Sequence, residues 1–468
     1  MEYRGMHVTD HWVQVPLDHQ NPHGEQISVY AREVSTDPAK PWLLYLQGGP
    51  GGRSPRPASL SGWLAEAVKH FRVLLLDQRG TGLSTPANRQ SLALRGDAAA
   101  QAHYLRFFRA DSIVRDAEAL RTALGIERWS TLGQSYGGFC TLSYLSLFPQ
   151  SLQRCLITGG LASLTADADT VYRATYRRMA ERNAEYFTWY PQDRQVLRRI
   201  YRHVRTFHDE RLPDGRPVTV PLVQMLGQYL GGNTRVHSLH HVLQEAFIDT
   251  PGGPRLSDTF LGVLYDQARR AANPLYAVLH ESIYAQGQAT NWAAERVLEE
   301  FAEFSPQAEV PLLTGEMVYR WYFAEDPALR PLEETARLLA EYEHFTPLYD
   351  LQVLARNQVP VAAAVYHDDV YVDRELSLDT ASRVRGLQTW VTKAFHHDGI
   401  ADEGAYIFKR LLDMTNGVDP DAALKSATGH GSPGAAVADP AAEDTAAKDT
   451  ATEDTTAPDT TAQGATGN

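Results

Sequence analysis

Gly133-Gln134-Ser135-Tyr136-Gly137-Gly138 reads Gly-x-Ser-x-Gly-Gly and stands between two segments of opposite character. Before it, Trp129-Ser130-Thr131-Leu132 is a short β-prone run. After it, Phe139 to Phe148 is an apolar stretch long enough for a helix, stopped by Pro149. A serine at a strand-to-helix turn, with glycine two residues to either side, has the form of a nucleophile elbow. Such a serine holds a strained backbone with its hydroxyl outward. Side chains at the flanking positions would clash, and glycine removes them. A Gly/Ser-rich turn without chemistry can carry the same letters, so the surrounding chain has to decide.

Upstream, two continuous apolar runs each end in a glycine-rich loop. Trp42-Leu43-Leu44-Tyr45-Leu46 leads into Gln47-Gly48-Gly49-Pro50-Gly51-Gly52, and Phe71 to Leu76 leads into Asp77-Gln78-Arg79-Gly80-Thr81-Gly82-Leu83-Ser84. Apolar runs of this length fit strands buried on both faces. Farther upstream, His11–Asp18 and Gln26–Val34 alternate around Asn21-Pro22-His23-Gly24, a hairpin signal. Between the second loop and the elbow, Asp111 is the expected N-cap of a helix with Ile113, Ala117, Leu120 and Leu124 on one face and Gly125 as its stop. Downstream of the elbow, Arg154 to Gly160 reads as another strand. Strands alternating with helices predict a mostly parallel sheet flanked by helices, with ligands at the C-terminal strand ends.

The pattern then breaks and later resumes. Residues 164–354 lack buried β-runs and carry aromatic, arginine and leucine residues at helical spacing, as in Tyr172–Tyr186 and Val196–Arg205. Val359–Tyr366 and Gly386–Thr392 are strand-like again, and a helix is expected over Gly404–Met414. The expected division is therefore a core from 1–163 and 355–426, with a helical cap domain, 164–354, inserted above the ligand edge. Residues 427–468 are Ala, Thr, Asp, Glu, Pro and Gly, a composition expected to stay disordered.

Composition bounds the partners. With 468 residues, 43% hydrophobic and 22% charged, the body is that of a globular protein of about two domains. A net charge of −13 and a pI near 5.7 argue against a nucleic-acid partner. Met1-Glu2-Tyr3-Arg4 opens no apolar signal region, and no apolar run reaches 18 residues, so no membrane association is expected. The only two cysteines, Cys140 and Cys155, read as reduced core thiols, and a cytoplasmic setting follows.

A serine hydroxyl needs a base, and the base needs an orienting acid. On this type of sheet they follow in the order serine, acid, histidine. The acid candidates are Asp368 and Asp369, just past a late strand; the histidine candidates are His396 and His397, past the next one. The oxyanion formed on attack needs two N–H donors. The amide of Tyr136 and one from Gly48-Gly49-Pro50, assigned to Gly49, are the candidates. No metal-ligand spacing occurs, and neither metal nor cofactor is expected.

Taken together, the Gly-Gly-Pro-Gly-Gly loop at 48–52, the Asp-Gln-Arg-Gly-x-Gly-x-Ser segment at 77–84, the elbow at 133–138 and His-x-Gly at 397–399 resemble the proline iminopeptidase (prolyl aminopeptidase) family of serine peptidases. The resemblance implies an α/β-hydrolase fold with a large inserted helical cap domain and the release of N-terminal proline from peptides. It favours Asp369 and His397 as the partners of Ser135. Gln47 stands where the family usually has His. A free, charged substrate amine calls for carboxylates and the proline ring for aromatic walls. Glu281 and Glu316 are the expected amine readers, with Tyr319 and Trp321 beside the latter. An esterase, a peptidase releasing longer N-terminal pieces, and a non-catalytic binder on the same scaffold remain as alternatives at this stage; carboxylates at the closed end of the pocket would separate the first from an aminopeptidase.

Overall fold

The computed structural model describes residues 2–3 and 5–418. The segment expected to be disordered, 427–468, lies outside them. The strands are β1 (Glu2–Tyr3), β2 (Met6–Pro16), β3 (Gln26–Ser35), β4 (Trp42–Leu46), β5 (Arg72–Asp77), β6 (Trp129–Gln134), β7 (Leu152–Thr158), β8 (Phe247–Thr250), β9 (Gly253–Leu256), β10 (Val361–Tyr366) and β11 (Leu387–Thr392). Nine of them form one sheet in the order β1-β2-β3-β5-β4-β6-β7-β10-β11. The first three join antiparallel, and all pairings from β5 to β11 are parallel.

Period-two alternation explains the continuous apolar runs. Leu43 and Tyr45 face one side with Val73, Leu75, Leu132 and Leu156, against Phe408, Leu411 and Leu412 of the helix Gly404–Thr415. Leu44 and Leu46 face the other side with Leu74, Leu76 and Ile157, against the helices Ala110–Ala123 and Tyr136–Leu147. That second core runs on without a break into Tyr172, Tyr176, Ile200 and Leu226, between β7 and β10 in the chain.

The stretch between β7 and β10 is largely helical, with Ala168–Trp189, Asp193–Thr206, Arg235–Gln244, Asp258–Ala268 and Glu333–Ala340 as its longer helices. It also holds a small antiparallel hairpin, β8–β9, outside the main sheet. Sequence reading missed the hairpin because only one of its eight residues, Leu256, is buried. The helix expected to be capped by Asp111 begins at Ala110 with Arg109 as N-cap. Asp111 sits in the first turn, where its charge still meets the helix dipole.

The 77–84 segment is scaffolding. Arg79 is buried, with Nε on Asp116 Oδ2 (2.7 Å) and Nη1 on the carbonyls of Leu17 and Phe107 (2.8 Å each). The Asp77 carboxylate accepts the amides of Ser54 (3.0 Å) and Leu83 (2.8 Å) and pairs with Arg56. Gly82 is required there, since a Cβ would lie 2.0 Å from Asp77 Oδ2. These contacts fix the loops after β4 and β5 at the sheet's C-terminal edge.

Candidate active site

β6 ends at Gln134 and a helix begins at Tyr136, so Ser135 is the whole turn. It holds φ 53° and ψ −123°, a left-handed conformation that a non-glycine residue adopts under constraint. The constraint is close packing. A Cβ on Gly137 would sit 1.9 Å from the Leu46 carbonyl oxygen, and one on Gly138 2.3 Å from that of Gly160. The Ser135 amide donates to Thr158 O (3.0 Å), tying the turn to the end of β7.

The loops after β10 and β11 deliver the other two groups. His397 Nε2 lies 2.9 Å from Ser135 Oγ. His397 Nδ1 lies 2.9 and 3.1 Å from the two Asp369 oxygens. Asp369 Oδ1 in turn accepts the amides of Tyr371 (2.9 Å) and Val372 (3.0 Å), which fixes the carboxylate. The neighbouring candidates point elsewhere: Asp368 bonds His367 Nδ1 (2.6 Å), and His396 Nδ1 is 3.4 Å from the Asp368 carbonyl. Burial alone would push the His397 imidazole down. The Asp369 charge and hydrogen bond overcome it, and with Glu316 and Asp398 raise it to about 9.

The turn after β4 lies against the elbow, since a Cβ on Gly48 would come within 3.0 Å of the Ser135 Cβ. Gly49 holds φ +134°, open only to glycine at low cost. Tyr136 opens its helix, so its N–H has no intrahelical acceptor. The Tyr136 amide is thus a free donor directly after Ser135, and Gly49 belongs to the turn that packs against the elbow.

Aromatic rings cluster around the elbow and the histidine. Tyr284 packs on Phe139 of the elbow helix (ring centroids 5.9 Å) and on Tyr172 (6.1 Å), and Tyr371 sits edge-on to His397 (5.0 Å). Glu316 is enclosed but still touched by solvent, and among the described residues no hydrogen-bond partner meets its carboxylate. Burial pushes Glu316 up to about 7, against the pull of His397 and Arg270. Behind the larger effect of burial, its negative charge helps to raise the hydroxyls of Tyr276, Tyr284 and Tyr371. Glu281 is held differently. Its oxygens accept the amides of Ala293 (3.0 Å) and Ala294 (2.9 Å) at the start of a short helix. Burial raises it too, to about 7. Its charge bears on Tyr172 and Tyr284, and Tyr284 is raised by burial and by both carboxylates.

The Tyr319 hydroxyl is engaged by that of Tyr176 (2.8 Å), and the Trp321 ring stacks over Tyr319 (6.2 Å). Neither makes a hydrogen bond or ring contact with Ser135, Asp369 or His397. Tyr371, Tyr276 and Arg270 escaped sequence reasoning. Tyr371 lay in sight, two residues past Asp369, where a loop returning over the histidine must place some side chain.

Comparison with known proteins agrees with this fold. A family profile described as alpha/beta hydrolase fold matches residues 41–214. A proline iminopeptidase of Aeromonas sobria is 45% identical over 417 residues, covering 88% of this chain and 97% of its own. Proline iminopeptidase aneH of Aspergillus aculeatus is 34% identical over 421 residues, covering 87% and 93%.

Proposed function

The chain belongs to the proline iminopeptidase family, and from that premise we propose that it is a serine aminopeptidase releasing N-terminal proline from peptides through an acyl-enzyme. The observation that carries the reading is Glu316, a hydrogen-bond-free, enclosed carboxylate whose charge is coupled to His397 of the hydrogen-bonded Ser135–His397 pair. A hydrolase of neutral esters has no use for a buried charge there. A prolyl ammonium makes it worthwhile, because a partly dry ion pair with a hydrogen bond offsets the desolvation of both groups.

In this reading His397 Nε2 takes the Ser135 proton as Oγ attacks the prolyl carbonyl. Asp369 holds the resulting imidazolium, and the amides of Gly49 and Tyr136 receive the oxyanion. His397 then gives its proton to the departing amine, and a water repeats the sequence to free proline. Glu316 reads the amine directly. Glu281, already engaged by two amides, adds negative potential from behind Tyr284. Tyr319 and Trp321 back the aromatic wall. Residues 164–354 act as the cap that carries recognition, over a catalytic core of 1–163 and 355–426.

A cytoplasmic location fits two free, buried cysteines. Among the described residues no helix is long and apolar enough to cross a membrane. The test is Ser135→Ala. Hydrolysis of a prolyl arylamide should vanish while thermal unfolding is unchanged, and retained turnover would sink the assignment. N-acetylation of the same substrate should also abolish its preferential hydrolysis, because it removes the charge that Glu316 meets.

A further inference from the structure

Arg270 stands at the pocket beside Tyr276 with half of its guanidinium unused. Its backbone amide donates to Asp326 Oδ2 (3.1 Å). Nη1 donates to the carbonyls of Gln267 (2.7 Å) and Arg269 (3.1 Å). Nε is buried and meets no acceptor, and none is found for Nη2. Among the described residues no carboxylate pairs with this side chain; Asp326, the nearest claimant, pairs with Arg216 (3.5 Å). The rings of Tyr276 and Tyr322 flank the guanidinium, with centroids 5.1 and 5.7 Å from Cζ. The Nε–Nη2 edge is therefore oriented and free, the edge that takes a carboxylate in a two-pronged bond. A buried donor without acceptor is rare and calls for an explanation.

The placement supplies one. The segment that follows Arg270 rests on the glycine turn beside Ser135: a Cβ on Gly51 would lie 2.8 Å from Asn273 Oδ1 and 2.9 Å from Tyr276 N. The Tyr276 hydroxyl lies in the field of both Glu316 and Arg270. The free guanidinium edge thus belongs to a side chain that packs on Tyr276, whose own segment rests on the turn beside Ser135, and the charge of the unpaired Glu316 bears on the same tyrosine. That is the complement of a short zwitterion. A dipeptide holds its ammonium and carboxylate about 7 Å apart, and each further residue adds about 3.5 Å.

We propose that Arg270 binds the C-terminal carboxylate of Pro-Xaa dipeptides, so that dipeptides are the preferred substrate class. The inference rests on the prolyl aminopeptidase reading above. Its chemistry adds no step: the carboxylate is held while His397 protonates the departing amine of Xaa, and the products are proline and a free amino acid.

The test compares kcat/KM for Pro-Gly, Pro-Gly-NH2 and a prolyl arylamide in the wild type, Arg270→Gln and Arg270→Lys. The wild type should prefer Pro-Gly over its amide roughly 10- to 100-fold, the range of a charge-assisted bond. Arg270→Gln should bring that ratio close to one, and Arg270→Lys should retain part of it, keeping the charge without the fork. A merely structural role would lower all three substrates together and leave the ratio alone. A wild-type ratio near one, or a ratio untouched in both variants, overturns the proposal. If the wild type cleaves the arylamide but shows no preference, the aminopeptidase reading stands without this inference; if it cleaves none of the three, both fall.

Discussion

Replacing Glu316 with Gln tests recognition and base chemistry at once. His397 is raised to about 9, after burial has been overcome by Asp369, Glu316 and Asp398. The imidazolium that these anions favour cannot accept the Ser135 proton. A bound prolyl ammonium places a positive charge against Glu316 and cancels its pull on His397. Two unit charges about 10 Å apart, the span of one small pocket, interact by roughly 1.7 kcal/mol at an effective dielectric of about 20, a little over one pK unit. The substrate therefore helps to make its own base. The acid limb of kcat, which reports the bound enzyme, should lie about one unit below that of kcat/KM, which reports the free one.

Glu316→Gln removes the same anion from the free enzyme. An imidazolium that loses a stabilising anion deprotonates at lower pH, so the acid limb of kcat/KM should move down by about one unit; the substrate's ammonium still repels the imidazolium, so the limb of kcat should move down with it and the gap between the two profiles should persist. At the same time kcat/KM for a prolyl arylamide should fall roughly 10- to 100-fold at its optimum, as a charge-assisted bond becomes a neutral one. The assay is arylamide release followed from about pH 5 to 10 in both enzymes. Ionisation of the substrate amine enters both profiles at the same pH and drops out of the comparison. An acid limb that stays put or moves up in the variant would refute the reasoning, as would coincident kcat and kcat/KM limbs in the wild type.

Asp369→Asn should cut kcat by about 10⁴-fold with little change in melting temperature, because the amide favours the wrong His397 tautomer. Gly137→Ala should cost more than about 3 kcal/mol in urea unfolding, since its Cβ would lie 1.9 Å from backbone oxygen that has nowhere to go. Gly262→Ala, in the helix Asp258–Ala268 with nothing within 4 Å, should instead gain about 0.5–1 kcal/mol. Cys140 and Cys155 should resist Ellman's reagent until the chain unfolds, because burial raises both thiols, Cys155 to about 12.

The fold was legible where one physical demand governs many residues. Strands buried on both faces must be apolar throughout, so Trp42–Leu46 and Arg72–Asp77 could be read directly, within a residue or so. The elbow announced itself because Ser135 needs glycine at several neighbouring positions at once. Element ends were harder. Asp111 has the chemistry of an N-cap, yet the chain turns into the helix at Arg109, whose guanidinium is drawn to the carbonyls of Ala285 and Thr346. Tertiary contacts of that kind leave no local trace. The pocket was the least legible part. Tyr284 and Tyr371 come from distant parts of the chain, and only folding brings one onto Phe139 of the elbow helix and the other onto His397.

Glu281 and Glu316 show the limit most clearly, because the sequence presents them as equals. Each is a glutamate near aromatic residues in the same helical stretch, and each is raised by burial to about 7. What separates them is supply of donors. Glu281 meets the amides of Ala293 and Ala294, groups at a helix start that need an acceptor in any case. Its burial is thereby offset within the resting protein. Glu316 meets no such donor, so its desolvation stays uncompensated until a cation arrives. The two should part on substitution. Glu281→Gln removes one of two acceptor oxygens from a helix start, and its main readout should be stability, about 1–3 kcal/mol in urea unfolding. Glu316→Gln relieves a largely buried charge with no hydrogen bond to lose, so it should cost the fold less than Glu281→Gln does while turnover of N-terminal proline collapses. Equal effects of both changes on stability and turnover would show that the hydrogen bonds at Ala293 and Ala294 do not set the division of labour argued from them.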